Sequence, residues 1–330
     1  MERQQSRGER GGPYSAHAVV FERPESLSLR EVRLTPPAQG EVVVDVEWTG
    51  ISTGTEKLLW SGRMPQFPGL GYPLVPGYET VGTIAECSPD AGGKVGVQPG
   101  ARVFVPGARC FGELRGLFGG AASRLVVDQG KVVPVGADLG EEAVLLALAA
   151  TAHHALHYQG SAALPDLIVG HGVLGRLLAR LTIALGGPAP MVWEIDARRG
   201  DGAAGYSVLH PDVDERRDYR RILDASGAPA LLDGLIQRLA KGGEIVLAGF
   251  YQDPLSFTFP PAFMREASIR VAAEWSPGDL VGVMQAVGSG ALSLDDLVSH
   301  RSEPGGAEAA YAQAFADPDC LKMVLDWRNF

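Results

Sequence analysis

With 330 residues, 45% of them hydrophobic and 21% charged, the chain has the composition of a soluble globular protein and length enough for two domains. Its 29 Lys and Arg against 39 Asp and Glu give a formal net charge of −10, which argues against nucleic acid as a partner. Cys87, Cys110 and Cys320 lie far apart with no C-x-x-C, which excludes a disulfide framework and a cysteine-rich zinc lobe; with no apolar run of membrane-spanning length and no signal-peptide core, the expected setting is the cytoplasm.

Residues 1–13 are polar and rich in Arg and Gly, a composition that predicts a disordered tail. Short strands broken by Gly and Pro follow at 18–21, 27–32, 41–48, 80–86, 101–105 and 123–127, with turns at Pro36-Pro37, Pro89-Asp90 and Gly92-Gly93. They predict a β-rich, partly barrel-like first domain. An Ala/Leu helix over 141–155 carries the chain out of it. Strand and helix patterns then alternate, as a parallel sheet with crossover helices requires. The rhythm falters in a short charged insert, 197–219, whose one strand is 206–209, and resumes with a strand over 219–227 and a helix over 230–240. Lys241-Gly242-Gly243 reads as a turn into a strand over 244–250, and the tail from Trp275 as two amphipathic helices and a last strand near 321–326.

The second half is organised around residues 166–180. Leu167, Ile168 and Val169 suit a strand buried on both faces, and Leu174, Leu177, Leu178, Leu181 and Leu185 recur at helical spacing. Between them Gly170, His171, Gly172, Val173, Leu174 and Gly175 spell G-x-G-x-x-G, the strand–turn–helix context of a dinucleotide site. Gly170 permits the turn, Gly172 lets a pyrophosphate approach the backbone at the helix N-terminus, and Gly175 lets helix and strand pack closely. Asp196 ends the next strand 21 residues after Gly175, near the ~20 expected of the carboxylate that holds the adenosine ribose. Its charge favours NAD over NADP, whereas Arg198 and Arg199 speak for a 2′-phosphate. His171 reads either as an exposed turn residue or as a phosphate contact.

Several segments together resemble the medium-chain dehydrogenase/reductase superfamily over residues 14–330. Gly50-Ile51-Ser52-Thr53-Gly54-Thr55-Glu56 resembles its glycine–isoleucine–cysteine–glycine–threonine–aspartate loop, and Val75-Pro76-Gly77-Tyr78-Glu79 its valine–proline–glycine–histidine–glutamate segment. Val97-Gln98-Pro99-Gly100-Ala101-Arg102-Val103 and Asp224-Ala225-Ser226-Gly227 match two further motifs. The resemblance implies an α/β architecture: a GroES-like catalytic domain over 14–151 and 273–330, a Rossmann doubly wound parallel sheet over 152–272, and an active site in the cleft between them. It also assigns Thr151, Ala225, Gly249 and Phe250 to the cofactor.

Departures from the family set the expected mechanism. Its zinc-ligand positions fall here on Thr53, Tyr78 and near Ala147, and hydroxyls and a methyl group do not make a zinc site. No metal is therefore expected, and a protein group must take the alcohol proton. Thr55 matches the family's relay hydroxyl, although the histidine that usually follows is Leu58; Tyr78 stands where the ligand histidine would be, with Glu79 behind it to orient a hydroxyl. His153, next to His154, reads either as a catalytic group near the nicotinamide or as a helix-packing residue.

Trp60, Met64, Phe67, Leu70 and Tyr72, interleaved with Gly and Pro, suit a large, flat, apolar substrate or else ordinary packing, and Trp275 is a further wall. The run 52–79 and the residues 150–156 are similar to a tetrapyrrole-oxidising branch of the superfamily. That similarity implies oxidation of the C3 1-hydroxyethyl group of a bacteriochlorophyllide to acetyl with NAD as acceptor, with Lys57 or Arg63 near the propionate, and a homodimer as the assembly. Two other readings stand beside it: a zinc-free NADPH-dependent quinone or enal reductase, and a non-enzymatic NAD-sensing protein.

Overall fold

Val42, Val43, Val44 and Val46 are buried along an eleven-residue strand from Glu41 to Ile51, and the rest of the first domain is assembled on it. The structure is a computed structural model that describes residues 14–66, 68–91, 93–136, 138–157 and 164–330; the tail expected at 1–13 and Phe67 lie outside the described residues. The first-domain strands are β1 (Ser15–Arg23), β2 (Ser26–Arg33), β3 (Glu41–Ile51), β4 (Leu74–Val75), β5 (Thr80–Cys87), β6 (Arg102–Val105), β7 (Arg115–Gly116), β8 (Arg124–Asp128) and β9 (Val133–Pro134). Helix α1 (Thr55–Trp60) follows β3 where the sequence read as a loop, and α2 (Leu146–His157) leads out of the domain.

The parallel strands are β10 (Leu167–Val169), β11 (Met191–Trp193), β12 (Ser207–Leu209), β13 (Tyr219–Asp224), β14 (Leu239–Leu247) and β15 (Ser268–Val271), with helices α3 (Val173–Ala184), α4 (Leu232–Arg238) and α5 (Phe259–Arg265) among them. Helices α6 (Pro277–Gly288) and α7 (Ala307–Ala316) and strands β16 (His300–Ser302) and β17 (Met323–Asp326) complete the chain. The parallel sheet runs β12-β11-β10-β13-β14-β15, so the order reverses beside β10, where such sheets bind ligands at their carboxyl edge. The last two strands return to the first domain, whose larger sheet runs β16-β17-β3-β5-β6-β9; β8 also pairs with β3, and a smaller sheet runs β2-β1-β4-β7.

Helix α3 ends where the glycine stop requires, with Leu185 as its C-cap and Gly186 at φ +81°. The turn expected at 241–243 is instead part of β14, which begins at Leu239 and bulges against Tyr219 and Arg221 with Gly242 at φ +73°. An apolar cluster joins Val81 and Phe104 of the first domain to α2, α3, Ile168 and Leu223, so α2 is buried on nearly every side by both domains.

Candidate active site

At the carboxyl edge of the parallel sheet, Gly170 turns at φ +97° and its N–H donates to the Trp193 carbonyl, holding the start of the glycine turn against the end of β11. A Cβ on Gly175 would lie 1.8 Å from the Gly170 carbonyl oxygen, so glycine is required there by protein packing. Gly172 differs. It is the extended N-cap of α3 (φ −72°, ψ −173°), a conformation open to any residue, and a Cβ there would meet no protein atom within 4 Å. With no side-chain cap, the first N–H groups of α3 face that open space, a cradle suited to a diphosphate. Ala225 and Gly249 stand beside this turn, since Gly170 approaches Ser226 and Gly249 approaches Gly227; Phe250 is exposed at the same edge.

The acid immediately after β11 is Glu194, not Asp196. Its Oε2 accepts from the His171 N–H at 3.0 Å and its Oε1 from the Ile195 and Asp196 N–H groups, which places it directly beside the glycine turn. Asp196 is held two residues farther out by Arg198, whose guanidinium pairs with both carboxylate oxygens; those hydrogen bonds keep the Asp196 carboxyl below its usual range. Arg199 donates to the Pro318 carbonyl. His171 is neither exposed nor aimed at a phosphate: it is fully buried, with Nδ1 2.6 Å from the Arg199 carbonyl and Nε2 2.9 Å from the Tyr206 hydroxyl, and burial lowers its pKa. Arg176, one residue after Gly175, donates to the His171, Arg199 and Asp201 carbonyls, so histidine and arginine together pin the charged insert to the turn.

The second group of residues is gathered by the end of β3. Ile51 pairs with Met323 of β17 on one side, and on the other the Gly50 N–H donates to the Glu79 carbonyl just before β5. Ser52 follows, and its hydroxyl lies 2.7 Å from that of Tyr78, either atom serving as donor. Thr53, expected at the first of the family's ligand positions, is exposed. It is Ser52, rather than Thr53, whose hydroxyl meets Tyr78. Thr55 is half-buried and also hydrogen-bonds to Tyr78. Burial and the nearby Glu79 raise the Tyr78 pKa well above that of a free phenol, so the hydroxyl stays protonated at neutral pH.

Glu79 does not reach the Tyr78 hydroxyl. Both its oxygens take the Lys322 ammonium, at 2.9 and 2.7 Å, in a fully buried pair whose lysine also donates to the Ile51 carbonyl. Burial raises the Glu79 pKa against the opposing pull of Lys322. Glu56 accepts from the Ser52 N–H at 2.9 Å and the Tyr311 hydroxyl at 2.8 Å. With Lys322 committed to Glu79, burial pushes Glu56 up to about 7. Ser52, Glu56, Tyr311 and Lys322 were not singled out from the sequence. The acid in the family-like loop was a visible signal for Glu56, whereas nothing local marks Lys322, 243 residues from its partner.

His153 is engaged within the protein. Its Nδ1 and that of His154 each lie 2.9 Å from one oxygen of Asp279, the capping-box acid of α6, and its ring stacks on His157 at 4.1 Å while filling the space above Gly282. Burial alone would raise the Asp279 carboxyl; hydrogen bonds from Ser276 and the two histidines hold it well below the carboxylate range. Thr151 bonds back to the Ala147 carbonyl within α2. Among the proposed substrate contacts, the Lys57 ammonium donates to the Phe315 carbonyl and the Trp60 ring packs on Phe315 at 5.7 Å, so these two hold α1 against α7, and Met64 is buried in the first domain's core cluster. Arg63 is exposed, and Trp275 is half-buried against the core cluster that also packs Tyr78. Among the described residues no three His, Cys, Asp or Glu side chains are grouped as metal ligands.

Residues 38–137 match the alcohol dehydrogenase GroES-like domain. The chain is 57% identical over 312 residues to a protein of Rhodobacter capsulatus called 2-desacetyl-2-hydroxyethyl bacteriochlorophyllide A dehydrogenase, covering 94% of this chain and 98% of that one. It is likewise 57% identical over 316 residues to a protein of the same name from Cereibacter sphaeroides, at 94% and 98% coverage. Among solved structures, an alcohol dehydrogenase from Escherichia coli complexed with NADH superposes with a TM-score of 0.80 at 19% identity, covering 95% of this chain and 99% of that one.

Proposed function

The chain belongs to the 2-desacetyl-2-hydroxyethyl bacteriochlorophyllide A dehydrogenase family of medium-chain dehydrogenases, and on that premise we propose that it oxidises the 1-hydroxyethyl group of a bacteriochlorophyllide to acetyl with NAD as acceptor. The observation that carries this reading is the high identity to those relatives along nearly the whole chain. They do not favour the quinone or enal reductase alternative.

When bound, the dinucleotide supplies the hydride acceptor. Gly170, Gly172 and the uncapped start of α3 would hold its diphosphate, and Glu194 its adenosine ribose. NAD is favoured because Glu194 would repel a 2′-phosphate, while Asp196 and Arg198 neutralise one another and Arg199 is engaged by the Pro318 carbonyl. In this proposal the carbinol hydroxyl donates to the Tyr78 oxygen; as the carbinol proton moves onto Tyr78, the phenol passes its own proton to Ser52 or half-buried Thr55, whose hydroxyl releases a proton to water. The reaction is zinc-independent in this proposal, supported by hydroxyls and Ala147 at the family's ligand positions. It includes a cytoplasmic setting, the two-domain division at 14–151 with 273–330 and 152–272, and a homodimer. Exposed Phe259, Phe263 and Met264 of α5, beside the edge strand β15, suit a protein interface. Side-by-side turnover with NAD and NADP tests the reading: a strong preference for NAD is expected, and turnover with NADP alone would overturn the cofactor choice.

A further inference from the structure

Resting on the tetrapyrrole reading above, we propose that the substrate's macrocycle lies in an apolar groove between α6 and the outer edge of the first domain's larger sheet, with its carboxylate at Lys131. The groove encloses about 650 Å³, within the range of pockets that bury most of a small-molecule ligand. One wall is a face of α6, where Leu280, Val281 and Met284 fall at helical spacing; Val281 is 56% exposed, an apolar side chain left open on that face. The opposite wall is Pro106 with Val133 of β9, and Trp275 also lines the groove. Proline rings and an indole offer flat apolar surface, which suits a disc better than a sugar or a short chain.

Strand register sets the groove at the end of the sheet that carries Tyr78. Thr80 pairs with Val105, so Pro106 lies one step beyond, level with Glu79. Phe104 pairs with Val133 in antiparallel sense, so the residues before Val133, Gly130 and Lys131, return to that same end. Two strand spacings, about 10 Å, separate β5 from β9, a span that a tetrapyrrole ring bridges with its hydroxyethyl group at one rim and its propionate toward the other. The cations lie on that far side. Lys94 donates to the Gly130 and Val132 carbonyls, and Lys131 is exposed. A carboxylate on the rim of an apolar disc matches this arrangement, whereas Lys57 is already bonded within the protein.

The test compares wild type, Val281→Asp and Lys131→Glu, two substitutions at exposed positions, using hydroxyethyl bacteriochlorophyllide and its propionate methyl ester, with NADH affinity as the check on folding. V281D is expected to raise the tetrapyrrole KM about tenfold with a much smaller change in kcat. K131E is expected to raise KM about fivefold for the free acid and to erase the wild type's preference for acid over ester. Wild-type KM values in both variants would overturn the groove while leaving the substrate reading intact. No turnover of the tetrapyrrole by wild type would overturn both.

Discussion

The hydroxyls of Tyr78 and Ser52 meet at 2.7 Å, one at the head of β5 and the other at the end of β3. If Tyr78 holds and relays the carbinol proton, Tyr78→Phe lowers kcat by roughly 10²–10⁴, the range of a lost proton-transfer group, and leaves NADH affinity unchanged. Ser52→Ala, which retains the phenol, costs less. Steady-state kinetics with an NADH fluorescence titration check both.

Lys322 and Glu79 are a buried ion pair, so removing one partner leaves a charge in an apolar interior. Lys322→Met is expected to destabilise the fold by about 3–5 kcal/mol, read as a lower denaturation midpoint. Adding Glu79→Gln to Lys322→Met restores part of the loss, because the second change removes the stranded carboxylate.

Glu56 faces the Ser52 N–H, the Tyr311 hydroxyl, the Glu79 carboxylate and Lys322, and burial raises its pKa from 4.5 to about 7. A carboxyl raised in the folded state holds its proton longer there than in the unfolded chain. Its contribution is therefore fully present below pH 4.5 and lost as pH rises toward 7, by on the order of 3 kcal/mol. Glu56→Gln, fixed in the neutral form, should lose less stability than wild type between pH 5 and 8. Thermal unfolding across that range, with parallel curves as the contrary result, decides it.

Gly172 and Gly175 separate ligand room from packing. A Cβ at Gly172 meets no protein atom within 4 Å, so Gly172→Ala keeps the fold while weakening NAD binding at least tenfold. Gly175→Ala collides with the Gly170 carbonyl and lowers stability, by about 1–3 kcal/mol, even without ligand. Calorimetry of binding and of unfolding on each variant reads the two effects separately.

The glycine turn, its helix and most first-domain strands were legible because local patterns dictate them: an apolar triplet, a positive-φ glycine, leucines at helical spacing. The site was legible only in outline. Tyr78 could be found from its motif, but that its hydroxyl partner is Ser52 depends on how the end of β3 meets the head of β5, which no local pattern encodes. Glu194 was passed over for Asp196 because residue spacing alone does not say where β11 ends; the register of Val169 with Trp193 does. Lys322 and Tyr311 reach the site from the C-terminal segment, through tertiary pairing that no local pattern encodes. His153 and Lys57 have plausible chemistry in sequence, yet Asp279 and the Phe315 carbonyl engage them.

In the proposed reaction a hydroxyl cluster, rather than a metal cage, handles the alcohol oxygen beside a dinucleotide held at the Gly170 turn. The most direct test mixes chelator-treated protein with NAD and 3-(1-hydroxyethyl)-bacteriochlorophyllide a and follows the red shift produced as the new acetyl group joins the ring's conjugation. Undiminished turnover, unchanged by added zinc and abolished in Tyr78→Phe, is the expected result. Activity lost on chelation and restored by zinc would contradict it.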